Sequence, residues 1–526
     1  MTKTIQKRLG KSFLGFLVVT CLTLAVAHAA AENTYRNPIL FADYSDPDVI
    51  RDGANYYLIA STFHFVPGIP ILQSPDLVHW TILGHVVQRL TMDPRYSMEG
   101  GNRYGKGVWA PSIRKHRGLF YVYFPTPTEG IFVSTAPKIT GPWSAPVAVI
   151  AGAGLEDPCP FWDDDGSAYL VHSRTGAGPL ILHRMSPDGK RVLDEGKVIV
   201  QDPEHLPVLE GPKLYKRHGY YYIFAPFGGV GSGAEVVLRS RNIYGPYEQR
   251  VVLAQGLTRI NGPHQGAYVE TPDGEGWFVH FQSDGAHGRI VHLEPVCWRD
   301  DWPLVGQDPP NEIGEPVPSG PIPGHPGALS HQHPQTSDEF SEATLGPQWE
   351  WNHNPDDAHW SLSARPGYLR LLPLQADNLL TARDTLTQCM QDNAFDFTVR
   401  LDVSAMKNGV HAGLAMFEVS ASGLEVVQTG SERQLRFFHL PDSAAGPMLT
   451  QPLVQLRVHV EGDQARYSYS FDDGKSFQPL GDATPIHFSW WKGSRPALFA
   501  YTTQPASGGN IDFDWAHYEP LGANPW

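Results

Sequence analysis

The chain of 526 residues carries 40 Lys and Arg against 55 Asp and Glu, a formal net charge of −15, with four cysteines and 41% hydrophobic residues. An acidic balance without basic runs excludes a surface built for nucleic acid or anionic membrane and suits a neutral substrate. The length predicts more than one domain, and abundant Gly, Pro and aromatic residues without helical periodicity predict β structure.

Residues 1–31 join a basic start (Lys3, Lys7, Arg8, Lys11) to an apolar run from Phe13 to Ala27 and small residues at Ala29 and Ala31. That is the pattern of a secretory signal peptide, and the run is shorter than the roughly 20 residues a bilayer span needs. Its removal deletes four cations and no acids, taking the net charge to −19 and leaving a mature protein expected outside the membrane, in the periplasm or beyond the cell. Cys159, Cys297 and Cys389 then remain, too far apart and too few for a disulfide framework or a metal-binding spacing.

From residue 32 to 305 one unit recurs five times. The copies are DPDVIRDGANYYLIAS from Asp46, APSIRKHRGLFYVYF from Ala110, DPCPFWDDDGSAYLVHS from Asp157, EGPKLYKRHGYYYIFAP from Glu210 and HQGAYVETPDGEGWFVHF from His264. Each reads as strand, Gly-containing turn, aromatic strand. Their starts are separated by 64, 47, 53 and 54 residues, near the period of a four-stranded propeller blade. A second motif, SPDLVHW at Ser74, STAPKITGPW at Ser134, SPDGK at Ser186 and SRNIYGPY at Ser240, follows the aromatic strand at the same period and predicts the turn between the outer strands. Five copies predict an all-β, five-bladed propeller. Residues 306–336, with eight prolines from Gly306 to Ser337, read as a Pro/Gly-rich linker in which His331 and His333 are solvated. From 337 to 526, alternating segments such as FDFTVRLDVSA, QLRVHVEG and IDFDWAHYE predict a two-sheet β-sandwich of jelly-roll type.

Innermost propeller strands converge on the axis, so the first residues of the five copies should meet there: Asp46, Trp109 with Ala110, Asp157, Glu210 and His264. Each acid alone is an ordinary turn residue. Three gathered in a cleft cost energy and raise a pKa, which is expected where the shift is used. Carboxylates facing across a pocket are what glycosidic cleavage requires. Phe63 and Trp109 offer pocket faces; His64, Phe65, Trp162 and Phe227 are as readily explained by blade packing, while Gln265 and Arg289 offer directed hydrogen bonds.

These motifs resemble glycoside hydrolase family 43 over residues 35–302, and the sandwich is similar to the concanavalin-like module that follows the propeller in β-xylosidase-type members. The resemblance implies a base at Asp46, in YSDPDVIRDG, a pKa modulator at Asp157, in LEDPCPFW, and an acid at Glu210, in LEGPKLYK. It further implies sugar contacts by Phe63, Trp109 and Arg289, and an axial His264, which in many members sits beside a bound calcium or its water. No cofactor is implied for the chemistry. The implied activity is exo-acting, inverting release of a terminal pentose from plant cell-wall xylan or arabinoxylan oligosaccharides, as a β-xylosidase, with α-L-arabinofuranosidase, endo-arabinanase and a non-catalytic sugar-binding propeller as alternatives. The sandwich is expected to lend a loop that walls the pocket. It has Val410-His411 where related modules often carry an acid, so no carbohydrate or calcium site is expected there. The sequence carries no sign of oligomeric state.

Overall fold

The structure is a computed structural model that describes residues 33–176, 178–307, 312–324, 333–505 and 508–522. The expected signal segment and His331 lie outside the described residues. Five four-stranded antiparallel sheets follow in chain order and form the expected propeller. Their innermost strands are Asp48–Asp52, Ser112–His116, Leu155–Trp162, Lys213–Arg217 and His264–Glu270. Each runs into the aromatic strand of its repeat through a tight turn. At His218-Gly219, for example, both residues have positive φ, 48° and 77°, the backbone a two-residue hairpin of matching twist demands. The repeated Ser motifs connect the third and fourth strands of blades 1 to 4, as their period predicted.

The aromatic strands face their neighbours and supply the packing between blades. Phe224 stacks on Tyr268 at 5.8 Å and on Phe278 at 5.7 Å, joining blades 4 and 5. Since every blade takes all four strands from one stretch of chain, no strand exchange closes the ring. The N-terminal segment does so instead. Thr34–Arg36 pairs with Ser319–Pro321, Leu40 bridges Val291, and Asn37 is clasped between strands. The Asn37 amide donates to Leu293 O (2.9 Å), Val317 O (2.9 Å) and Glu294 Oε1 (3.2 Å), and its oxygen accepts from Leu293 N at 2.8 Å.

The segment read as a linker is, in its described parts, strapped to the propeller: Gly314 bonds the backbone of Val252 and Ala254, and the Gln335 amide that of Ile82. The sandwich follows, with sheets of nine and eight strands. The larger sheet ends on a strand that is not its own. Phe65–Val66, from the loop of blade 1, pairs with Glu350–Asn352. One apolar core therefore runs from Val66, Ile69 and Val86 of the propeller into Trp349, Trp351 and Leu414 of the sandwich.

Replacing Asn37 by Ala orphans the buried Leu293 amide and two carbonyls. The expected loss is about 1–3 kcal/mol of stability, read as a lower urea midpoint for the whole chain, and an unchanged midpoint would place ring closure elsewhere.

Candidate active site

Backbone pairing shows which residues of the five blades are equivalent. Ser45 O accepts from Ser61 N, Trp109 N donates to Pro125 O, Glu156 pairs with Ser173, Glu210 N donates to Pro226 O, and His264 pairs with Phe281. One axial set is thus Ser45, Trp109, Glu156, Glu210 and His264; the next residues, Asp46, Ala110, Asp157, Gly211 and Gln265, form a second. This corrects the expectation that Asp46, Asp157 and Glu210 share one repeat position. Glu210 stands one place earlier, and its true equivalent in blade 3 is Glu156, a residue the sequence reading passed over. The signal was present: Leu155-Glu156-Asp157-Pro158 aligns with Leu209-Glu210-Gly211-Pro212.

The two sets open into one cavity of about 400 Å³, lined by Asp46, Phe63, Trp109, Glu156, Asp157, Glu210, His264, Gln265 and Arg289 among others. All seven residues singled out as site candidates line it. A second cavity, about 490 Å³, opens at the opposite end of the channel. Its cations are matched by acids, Lys115 with Asp52, Arg217 with Glu270 and Arg114 with Asp48, which describes a tied-off end of the ring.

Within the first cavity the polar groups are held from all sides. Asp46 is buried, ion-paired through Oδ1 with Arg289 Nη1 at 2.7 Å, while its Oδ2 accepts from Ser61 Oγ at 2.5 Å. Asp157 Oδ2 accepts from Gly211 N (2.8 Å) and Ser173 Oγ (3.1 Å). Glu210, with a fifth of its side chain exposed, meets His264 Nε2 at 2.7 Å through Oε1. One oxygen each of Glu156, Asp157 and Glu210 lie within 4.8 Å of one another. Burial first, and then the charge of Glu210, push Asp157 up to about 7, against the opposing pull of the Gly211 amide and Lys213. Phe63 packs edge-on to Trp109 at 6.3 Å, and Trp109 to Trp491 at 6.1 Å. Trp491 belongs to the sandwich, so the second domain supplies a wall of the pocket.

His264 Nδ1 is buried without a hydrogen-bond partner among the described residues. An orphan imidazole nitrogen fits a water held by an axial cation better than calcium itself, which takes oxygen ligands. The carboxylates nearest that histidine are the ones the pocket presents to a substrate, so His264 reaches an ion only through such a water. Of the remaining aromatics, Trp162 stacks on His116, and His64 and Phe65 pack into the domain interface. In the sandwich, His411 pairs with Glu425 at 2.9 Å and stacks on Tyr501.

Residues 35–303 match the family model for glycosyl hydrolases family 43, and residues 337–519 that for the beta xylosidase C-terminal concanavalin A-like domain. The chain is 43% identical over 472 residues to a putative beta-xylosidase of Xylanibacter ruminicola, covering 88% of this chain and 86% of that protein. It is 36% identical over 554 residues to a beta-xylosidase of Formosa agariphila, covering 94% and 92%. Among solved structures it is similar to a family 43 hydrolase engineered at its active site to show both endo-xylanase and exo-arabinofuranosidase activity, with a TM-score of 0.84, 28% identity, and coverage of 93% and 99%.

The raised Asp157 has a stability consequence. A carboxyl that binds its proton more tightly when folded contributes stability below its unfolded pKa, and that contribution is lost as pH rises toward about 7. Asn at this position keeps an oxygen for the Gly211 and Ser173 donors and carries no charge. Thermal melts are therefore expected to favour D157N over the parent progressively from pH 5 to pH 8; a constant difference over that range would contradict the shift.

Proposed function

The chain belongs to glycosyl hydrolases family 43 and is a glycosidase; we propose that it releases single xylose units from the non-reducing ends of xylan-type oligosaccharides with inversion. The observation that carries the reading is the pocket itself. A base candidate fixed by Arg289 and Ser61 and an acid candidate joined to His264 stand on separate blades around a walled cavity.

In this reading Asp46 takes a proton from water as the water oxygen bonds to the anomeric carbon. The bond to the departing oxygen breaks in the same step, and that oxygen takes a proton from Glu210, which recovers one from solvent. Coupled carboxyls hold protons as a unit. With Asp157 pushed up to about 7, the cluster retains a proton at neutral pH, and Glu210, partly exposed, is the member placed to deliver it. The chemistry needs water and these carboxylates, with no metal in any step. Trp491 and Phe63 close the space beyond the sugar, which supports an exo mode over an open endo groove. The relatives named as beta-xylosidases favour xylose; the engineered family member above shows that the same scaffold can act on arabinofuranosides.

Three measurements test the reading. Higher kcat/KM on nitrophenyl β-D-xylopyranoside than on nitrophenyl α-L-arabinofuranoside is expected, and the reverse preference would replace xylose with arabinose. Proton NMR of the first product should show the anomer opposite to the substrate. Glu210→Ala should cut kcat by about 10²–10⁴-fold on the nitrophenyl sugar and by much less on a dinitrophenyl sugar, whose leaving group needs no proton. Equal losses on both would remove Glu210 from the acid role.

A further inference from the structure

We propose that Lys492, a sandwich residue, is a positioning residue for Asp46, so that docking of the second domain completes the base side of the pocket. The inference rests on the reading of Asp46 as the base.

Lys492 follows a two-residue turn, Trp490-Trp491, whose residues both adopt positive φ, 53° and 70°, closed by mutual bonds between Ser489 and Lys492. Two tryptophans in the left-handed region are strained unless their surroundings hold them there. Here they do: Trp490 stacks on Tyr104 of the propeller at 4.1 Å, and Trp491 faces Trp109. The turn delivers the Lys492 ammonium into the propeller, where it is buried. Nζ donates to Asp43 O at 2.8 Å and to Ser61 O at 3.4 Å, and lies 3.1 Å from Asp43 Oδ2.

These contacts bracket Asp46. Ser61, whose carbonyl Lys492 grips, donates its hydroxyl to Asp46 Oδ2. Asp43 Oδ1 accepts from Ser45 Oγ at 2.9 Å and from Arg289 N at 3.0 Å, and Arg289 holds the other Asp46 oxygen. Asp43 Oδ2 accepts from Gly493 N at 2.9 Å. One buried carboxylate is thereby shared between two propeller groups that set Asp46 and two sandwich groups. Burial alone would raise Asp43, but Lys492 and the amides of Arg289 and Gly493 hold it below the usual carboxylate range. The packing leaves no slack. A Cβ at Gly288 would meet Asp43 Cγ at 2.4 Å, and one at Gly493 would meet Ala286 O at 2.6 Å. Without the ammonium, Asp43 becomes a buried charge short of its cation, and the segments carrying Ser61, Ser45 and Arg289 lose their common anchor.

A shift of the base relative to the sugar should show in kcat while leaving ground-state binding nearly alone. Lys492→Met in the full chain is expected to lower kcat about 100-fold with KM within threefold. Lys492→Cys should behave likewise, and treatment with bromoethylamine, which rebuilds an ammonium on the sulfur, should restore at least a tenth of the parent kcat; the parent, treated in parallel, controls for exposed Cys297. A K492M enzyme with kcat within threefold of the parent overturns the proposal. So does a K492C enzyme of native circular dichroism that aminoethylation does not revive. Asp46→Asn separates the two levels of the argument: if it retains activity, the base reading has failed, whereas an inactive D46N beside an active K492M sinks the clamp alone.

Discussion

The structure around the axis is governed by the repulsion of carboxylates that the propeller forces together. Glu156, Asp157 and Glu210 each put an oxygen within 4.8 Å of the others, in a cavity from which burial removes most of the screening water. Three negative charges at that range in a poorly solvated site are costly, and the cheapest relief is to keep a proton. The neighbours limit how far that relief goes. The Gly211 amide and Lys213 favour the ionised form of Asp157, burial and Glu210 the neutral one, and the balance leaves it near neutrality. A fold that only needed to stand would have no reason to hold such a balance.

On the other side of the pocket the constraint is reversed. Asp46 and Asp43 are each matched by a buried cation, Arg289 and Lys492, and by short hydrogen bonds. Charge accumulates opposite Asp46 and is neutralised around it, so the two sides differ in protonation tendency without any metal to set them apart. That division depends on the second domain, because one of the two cations comes from it. The shared core across Val66 and Trp351, and the strand that blade 1 lends to the sandwich, fix the docking that brings Lys492 into register.

Much of this was legible in the chain. The propeller showed because each blade is one contiguous unit with its own turn and aromatic strand, and the sandwich because its strands alternate cleanly. The carboxylates showed because they sit beside prolines at the repeat starts. What stayed hidden depends on pairing between distant residues. Phe65–Val66 is too short to read as a strand until its partner at Glu350–Asn352 is known. Lys492 and Asp43 are 449 residues apart, and nothing local marks either as half of an ion pair. Trp490 and Trp491 looked like sandwich core.

The one-residue offset of Glu210 has a physical cause that explains the density of the site. In every blade three inner-strand residues span what two residues span on the neighbouring strand: Ser45 to Asp48 lies against Ser61 to Ile59, and Glu156 to Cys159 against Ser173 to Val171. Each blade therefore carries one extra residue at the axial end, a bulge, and in four of the five it is left-handed, at Asp46, Asp157, Gly211 and Gln265. In a regular strand successive side chains point to opposite faces, and only one of each pair could enter the cavity. A bulge re-aims the second. Blade 3 thus presents both Glu156 and Asp157, and blade 5 both His264 and Gln265. In blade 4 the extra residue is glycine, whose amide turns to Asp157 and leaves Glu210 as that blade's sole acid. The crowding that raises Asp157 thus follows from a backbone feature repeated five times, with the residue placed on each bulge deciding which blade adds charge and which adds a donor.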